Sequence, residues 1–417
     1  MPRRILLDLS PIRESRQFRL IFGGQLLSGF GNQATAVAVP FQVFQLTHSS
    51  LQVGLVSLAQ FVPLVIGSII GGPVGDAVDR RALLLWSNLA AMVCGLGLVI
   101  NAFSSNPSLW VIYLTSAATA GIIGFAAPAR NAVVPLIVSE DQLVAAYSIN
   151  QITIQIATIG GPLIAGSLIA FHGVEAAYLF DILTFALAML TRIAMQPIPP
   201  DPHAKRAGFS SFVEGARYVA ARPLLYGIYL IDLNAMVLGM PRALFPALAL
   251  GTFHGGAITL GALYAAPAVG AVLGASTTGW LHRLRRQGRA VVLAVVGWGL
   301  AIALVGLSHL LWLALVMLAI AGLCDVISAV LRNTLLQSSI TDEFRSRISS
   351  FQMAVVQGGP RLGDLEAGGL AQLSSPAFSV VSGGLACAAG SLLIAWLIPA
   401  LGKQELSVAT DGNSLSG

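Results

Sequence analysis

Arg361, Asp364 and Glu366 stand within six positions of one another in an otherwise apolar stretch. A charged side chain at the centre of a bilayer costs roughly 2.5–3.5 kcal/mol on insertion scales, so it is there for function or for pairing. Arg361 and Asp364 are one helical turn apart and can pair directly. Glu366 lies two residues beyond Asp364, about 200° further round a helix, so it cannot share that face. A dry site favours the neutral, proton-carrying form of an acid that lacks a fixed cation. Glu366 is therefore the first candidate proton carrier and Asp364 the paired acid. The alternative is that all three knit their helix to its neighbours. Asp232 and Asn234 interrupt a second apolar stretch, and Arg242 follows Pro241 towards its end. Asp232 and Arg242 are expected to reach a central cavity. Asp181 and Asp325 lie in two further stretches; Arg332 is two turns from Asp325, too far for the favoured spacing, so Asp325 needs another partner. Gln25, Asn32, Gln33, Asn150, Gln151 and Gln155 can hydrogen-bond a polar ligand or tie helices together.

This chemistry is proton and ligand handling without covalent catalysis. The sequence has no glycine loop followed by Lys-Ser or Lys-Thr for nucleotide phosphates, and no metal-spaced His and Cys cluster. Cys94, Cys324 and Cys387 are isolated in separate apolar stretches and read as small buried hydrophobes. An enzyme, a bound metal and a cofactor are accordingly not expected.

The elements that carry these residues are membrane helices. Hydrophobic residues make up 56% of the 417 and charged residues 10%, against roughly 25% charged in soluble domains. A bilayer core roughly 30 Å thick is crossed by about 20 apolar residues in a helix. Twelve such spans are predicted, near 19–44, 51–75, 82–103, 108–127, 143–170, 174–196, 223–250, 259–281, 289–307, 310–336, 347–373 and 376–400. With residue 1 in the cytoplasm, 21 of the 23 Lys and Arg fall on the cytoplasmic side, among them Arg3, Arg4, Arg80, Arg81, Lys205, Arg283 and Arg285. The opposite loops carry His48, His172, His254 and His309. That asymmetry sets both termini inside, and the net charge of +5 reads as topology, with no nucleic-acid partner. Trp110 and Trp312 fall at outer interfaces, Trp86 and Trp280 at inner ones. The basic start leads into a long span and not a short cleavable one, so no signal peptide is expected.

The chain also repeats itself. Arg130-Asn131 and Ser139-Glu140-Asp141 recur as Arg332-Asn333 and Thr341-Asp342-Glu343, 202 residues later. Gly160-Gly161-Pro162 recurs as Gly358-Gly359-Pro360, 198 later, and the turn at Thr47-His48 answers Phe253-His254. Two parallel six-helix halves follow, 1–196 and 223–402. A Pro-rich cytoplasmic linker at 197–222 joins them, with an interfacial helix possible over Phe209–Tyr218, and a disordered tail occupies 403–417. Substrate is expected between halves near the midplane.

Two motifs carry a resemblance. Gly72, Asp76, Arg80 and Arg81, between spans 2 and 3, resemble the loop signature of major facilitator transporters, with Ala77 and Asp79 departing from it. The resemblance implies a conformational latch in which Asp76 meets the positive end of a helix from the other half; topogenic charge alone is the plainer reading. Gly160, Gly161, Pro162 and Gly166 resemble the Gly-Pro motif of exporters in that superfamily, although close packing would use the same residues. Across the whole chain, Phe18-Arg19, Gly24-Gln25, Val39-Pro40, Leu46-Thr47-His48-Ser49-Ser50, Arg347-Ile348-Ser349 and Leu362-Gly363-Asp364 resemble the enterobactin exporter branch. The implied fold is the all-α major facilitator fold. The implied function is proton-driven export of a siderophore across the bacterial inner membrane by a monomer. Multidrug or macrolide efflux is the second expectation, and a non-transporting sensor or scaffold the remote third. Many proton-coupled exporters carry an Arg in span 4; Leu114 to Gly121 here has no charge.

Overall fold

The computed structural model describes residues 8–199, 209–277, 281, 284, 286–340 and 345–403. Arg3, Arg4, Lys205, Trp280, Arg283, Arg285, Thr341-Asp342-Glu343, part of the linker and the expected tail beyond 403 lie outside the described residues. Within them the chain is helical and has no strand, as a backbone dissolved in lipid requires.

Twelve long helices match the twelve predicted spans: α1 (Arg16–Thr47), α2 (Ser50–Ala77), α3 (Arg80–Phe103), α4 (Leu109–Ile137), α5 (Leu143–His172), α6 (Val174–Ile193), α7 (Pro223–Leu238), α8 (Gly256–Thr277), α9 (Gln287–Leu307), α10 (Leu311–Ser339), α11 (Arg345–Leu373) and α12 (Pro376–Leu397). Ten are both long and apolar enough to cross a membrane, α7 counting with its continuation to Thr252. The other two, α1 and α11, have 32 and 29 residues; they are long enough but more polar, because they carry Gln25, Asn32 and Gln33 or Arg361, Asp364 and Glu366. Helix α4 outruns its predicted span by ten residues, since helical hydrogen bonding continues through Arg130 and Asn131 into the apolar run that ends at Ile137. A helix over Phe209–Ala220 packs against α11.

Helices α1–α6 pack with one another, as do α7–α12. The repeat is visible in the backbone. His48 and His254 both adopt left-handed conformation, φ 50° and 49°, at the equivalent turn of each half. In the first half Gly67, Gly71 and Gly75 lay α2 against α4; in the second, Gly270 and Gly274 lay α8 against α10. Gly72 faces open space, while its neighbour Gly71 sits directly on the carbonyl of Phe125.

The seventh span departs from its expected continuity. Helix α7 stops at Leu238, and the chain resumes as a 3-10 turn (Arg242–Leu244), an α turn (Phe245–Ala247) and a π turn (Leu248–Thr252). Pro241 supplies no N–H and cannot continue a helix. The freed polar groups cannot turn to lipid; three helices supply partners. Trp298 Nε1 on α9 donates to Gly239 O at 2.7 Å, Tyr264 Oη on α8 donates to Arg242 O at 3.2 Å, and Ala243 N donates to Asp364 Oδ1 on α11 at 3.0 Å. A buried acceptor left unpaired costs about 1–3 kcal/mol. Trp298→Phe is therefore expected to lower the thermal unfolding midpoint of the purified protein by several degrees. An unchanged midpoint would mean that the break does not depend on this bond.

Candidate functional site

A cavity of about 330 Å³ lies between the halves, lined from both: α1, α2, α3 and α4 on one side, the α7 continuation, α8 and α11 on the other. Its polar lining comprises Asn32, Thr35, Ser57, Gln60, Ser116, Thr119, Arg242, Tyr264, Gln357, Arg361 and Asp364. The size is at the small end of the roughly 300–1,000 Å³ of small-molecule sites. On the α4 wall the polar side chains are Ser116 and Thr119. The break in α7 is what delivers Arg242: it falls on the first residue after Pro241, where the regular helix is interrupted, and its exposed side chain lines the cavity.

The cavity is sealed at the end that bears the four histidine turns. There α2 meets α11 and α5 meets α8 with backbone almost on backbone. A methyl group at Gly368 would lie 2.5 Å from Ser50 O, and one at Gly166 would lie 2.6 Å from Ala257 O. Gly54 sits on the carbonyl of Asp364, and Gly261 on that of Pro162, with equally little room. Ser49 Oγ donates to Gln372 Oε1 at 2.9 Å, outside the α2–α11 contact. The Gly-Pro motif is thus split between two tasks. Gly160 and Gly161 press against Phe30 and Gln33 of α1 within their own half, while Pro162 and Gly166 face α8 of the other half.

One side chain joins these features. Asp364 is buried; its Oδ2 accepts from Ser57 Oγ of the first half at 2.8 Å, and its Oδ1 accepts from Ala243 N at 3.0 Å. The expected Arg361–Asp364 pair is not formed. Arg361 Nη1 donates instead to Gln357 O of its own helix at 2.6 Å. The physical reason is that the α7 break offers Asp364 an N–H that has no other acceptor, and Ser57 fills its second oxygen.

Other expected site residues separate. Asp232 pairs with Arg332 of α10 at 2.7 Å, both buried, and does not line the cavity. Asn234 Nδ2 donates to Cys387 O at 2.8 Å and Ser391 Oγ at 3.0 Å, so it ties α7 to α12 and is no cavity residue. Glu366 also misses the cavity; it lies on the side of α11 that carries Leu362 and Leu373, exposed at 40% and 87%. Asn32 does line the cavity, whereas Gln25, Asn150, Gln151 and Gln155 do not. Gln33 bonds Thr158 of α5 at 2.9 Å, and Thr35 donates to buried Asp181 of α6 at 2.8 Å. Asp76 meets Arg80 of its own half at 3.5 Å and no described residue of the other half. Arg81 donates to the carbonyls of Arg192 at 3.0 Å and Ile193 at 2.6 Å, at the end of α6.

Asp325 gains importance. It is exposed, yet Leu318, Ala321, Gly322, Ser328 and Arg332, all within about 60° of it round the helix, are buried. An exposed residue at the centre of a buried face looks into an internal space and not into lipid. No hydrogen bond or ion pair reaches Asp325 among the described residues. The sequence shows this acid and shows that Arg332 is too far along the helix to pair with it; what it hides is that Arg332 is taken by Asp232 from another helix.

Comparison with known proteins agrees with this architecture. Residues 7–411 match the family model described as transmembrane secretion effector. The enterobactin exporter EntS of Shigella dysenteriae serotype 1 (strain Sd197) is 31% identical over 396 residues, covering 94% of this chain and 93% of the relative. The enterobactin exporter EntS of Citrobacter koseri is 30% identical, covering 94% of each. Among solved structures, a POT family transporter in complex with 5-aminolevulinic acid superposes with TM-score 0.74 at 11% identity, over 93% of this chain and 97% of the other. An inward-facing bacterial homologue of the iron transporter ferroportin superposes with TM-score 0.68 at 17% identity, over 93% and 99%. These likenesses establish the major facilitator fold of a multi-pass membrane transporter and not an enzyme.

The seal makes a prediction. With Cys94, Cys324 and Cys387 replaced by Ala, Ser49→Cys and Gln372→Cys should be joined efficiently by a short bifunctional thiol reagent. Adding Gly166→Val, which wedges the distant α5–α8 contact, should cut the yield at least fivefold. Equal yields would show that the two contacts do not act as one seal.

Proposed function

The chain belongs to the transmembrane secretion effector family, and we propose that it exports an enterobactin-like siderophore across the bacterial cytoplasmic membrane in exchange for protons. The observation that carries this reading is a polar cavity between two halves, sealed at one end, in a chain similar along almost its whole length to enterobactin exporters. The basic end is taken as cytoplasmic by the positive-inside rule, so the sealed end faces the periplasm. Siderophore then loads from the cytoplasm. Separation of α2 from α11 and of α5 from α8 releases it outside. One chain encloses the cavity with both halves, so a monomer suffices.

For coupling, Asp325 takes the place first given to Glu366, because it faces an internal space and forms no hydrogen bond or ion pair among the described residues. Asp364 is the second acid: protonating the oxygen that accepts from Ser57 would replace an ionic acceptor with a neutral one, and bonds to charged groups are worth about 1.5–3 kcal/mol against about 1 for neutral ones. The Asp76, Arg80 and Arg81 cluster is assigned to the opposite state, in which the cytoplasmic end is shut and Asp76 can reach the other half.

Deleting the gene should raise intracellular catechol siderophore and lower the secreted amount, with macrolide susceptibility unchanged. In proteoliposomes an imposed pH gradient should drive siderophore accumulation by the parent protein, while Asp325→Asn should only equilibrate it. Normal secretion together with increased macrolide sensitivity would replace siderophore export by drug efflux. Full pH-driven accumulation by Asp325→Asn would move the proton site elsewhere.

A further inference from the structure

Two arginines line the cavity, and neither forms an ion pair among the described residues. We propose that Arg242 and Arg361 form an anion subsite that grips a carboxylate or phenolate oxygen of the transported molecule. This rests on the export reading of the same cavity and adds to it the charge of the substrate and the residues that read it.

Arg242 and Arg361 are the two arginines that the charge asymmetry of the loops leaves unexplained; every other Lys and Arg is placed at the basic end by the predicted topology. Neither forms an ion pair among the described residues. The side chain of Arg242 is exposed to the cavity and makes no hydrogen bond among the described residues; its backbone carbonyl accepts from Tyr264. Arg361 spends Nη1 on Gln357 O, and its Nε is buried without a partner. A part-buried guanidinium whose Nε lacks a partner is an incomplete arrangement that an arriving anion would complete, and that describes Arg361. Asp364 is the one carboxylate lining the cavity, and its oxygens accept from Ser57 and from Ala243 N–H while forming no ion pair with either arginine among the described residues. The α7 break therefore has a double effect: it exposes Arg242, and it draws Asp364 away from Arg361.

The geometry of the donors narrows the ligand. Planar guanidinium groups favour planar oxyanions that can accept two parallel bonds, such as a carboxylate or a deprotonated catechol. Tyr264 forms another part of the wall and meets Phe245 edge to face, with ring centroids 5.0 Å apart. An aromatic ring bearing the anion can pack there, while Asn32, Thr35 and Gln60 offer hydrogen bonds across the cavity. The class is an aromatic acid or phenolate, and a cationic amphiphile would meet two arginines.

The test uses purified full-length protein and two probes of nearly equal shape, 2,3-dihydroxybenzoate and neutral 2,3-dihydroxybenzamide, with binding measured by calorimetry. The parent should bind the acid at least tenfold more tightly, a difference of about 1.4 kcal/mol. Arg242→Gln and Arg361→Gln should each reduce that preference to less than threefold, and Arg361→Lys should retain part of it. Adding inorganic phosphate at the same ionic strength as a chloride control should leave the preference in place if the aromatic anion is the ligand; a preference erased by phosphate alone would overturn the aromatic assignment. Equal binding of acid and amide by the parent protein overturns the subsite whether or not the variants fold, as does full preference retained by folded Gln variants. Equal binding together with intact siderophore secretion removes the subsite and leaves export standing. A strong acid preference without any secretion phenotype in the deletion strain keeps the subsite and transfers it to a different aromatic anion.

Discussion

A backbone that breaks inside a membrane must find partners for its freed N–H and C=O groups, and Asp364 is the partner on which this molecule turns. Its carboxylate takes Ala243 N–H from the interrupted seventh helix and Ser57 Oγ from the opposite half. The first bond makes the interruption tolerable, with Trp298 and Tyr264 completing the set. The second ties the halves together where the cavity ends. Arg242 points into the cavity only because the helix breaks, and Arg361 is unpaired only because Asp364 is engaged elsewhere. The charge of the binding surface and the closure of the seal therefore share one origin.

The two halves solve the same packing problem with different chemistry. The 198-residue shift that aligns Gly160-Gly161-Pro162 with Gly358-Gly359-Pro360 also aligns Gly166 with Asp364. On the α5–α8 side the position is a glycine, and the contact is van der Waals packing between backbones, as in close helix pairs generally. On the α2–α11 side it is an acid, and the contact includes an ionic hydrogen bond. Packing of the first kind has no titratable part. The second kind responds to protons or to a neighbouring anion, so the asymmetry gives one seam of a two-seam closure a chemical handle.

Much of this was legible in the residues. Helix number, the pairing of the halves and the repeated histidine turns follow from hydropathy and spacing, because lipid leaves the backbone few alternatives. Polar residues were found correctly, but their partners were not. Arg361 and Asp364 stand at the spacing for a local pair, yet Asp364 is claimed by an amide that exists only because α7 is broken. Asp232 was expected in the cavity, yet it pairs with Arg332 of α10. Glu366 has the right chemistry on the wrong side of its helix. Each case turns on contacts between helices far apart in sequence, which one-dimensional spacing cannot rank. Gly239 and Pro241 together were the available signal for the break in α7 and, through it, for the position of Arg242.

The most direct measurement is the distance across the sealed end, read by electron–electron double resonance between spin labels on Ser105→Cys and His309→Cys, both exposed in loops of opposite halves. In an Ala background for the three native cysteines, the parent protein should give a short, narrow distribution at neutral pH. Asp364→Ala should shift population to longer distances, as the tie to Ser57 is lost and the seal opens. An unchanged distribution in a folded Asp364→Ala protein would contradict the central role given to that carboxylate.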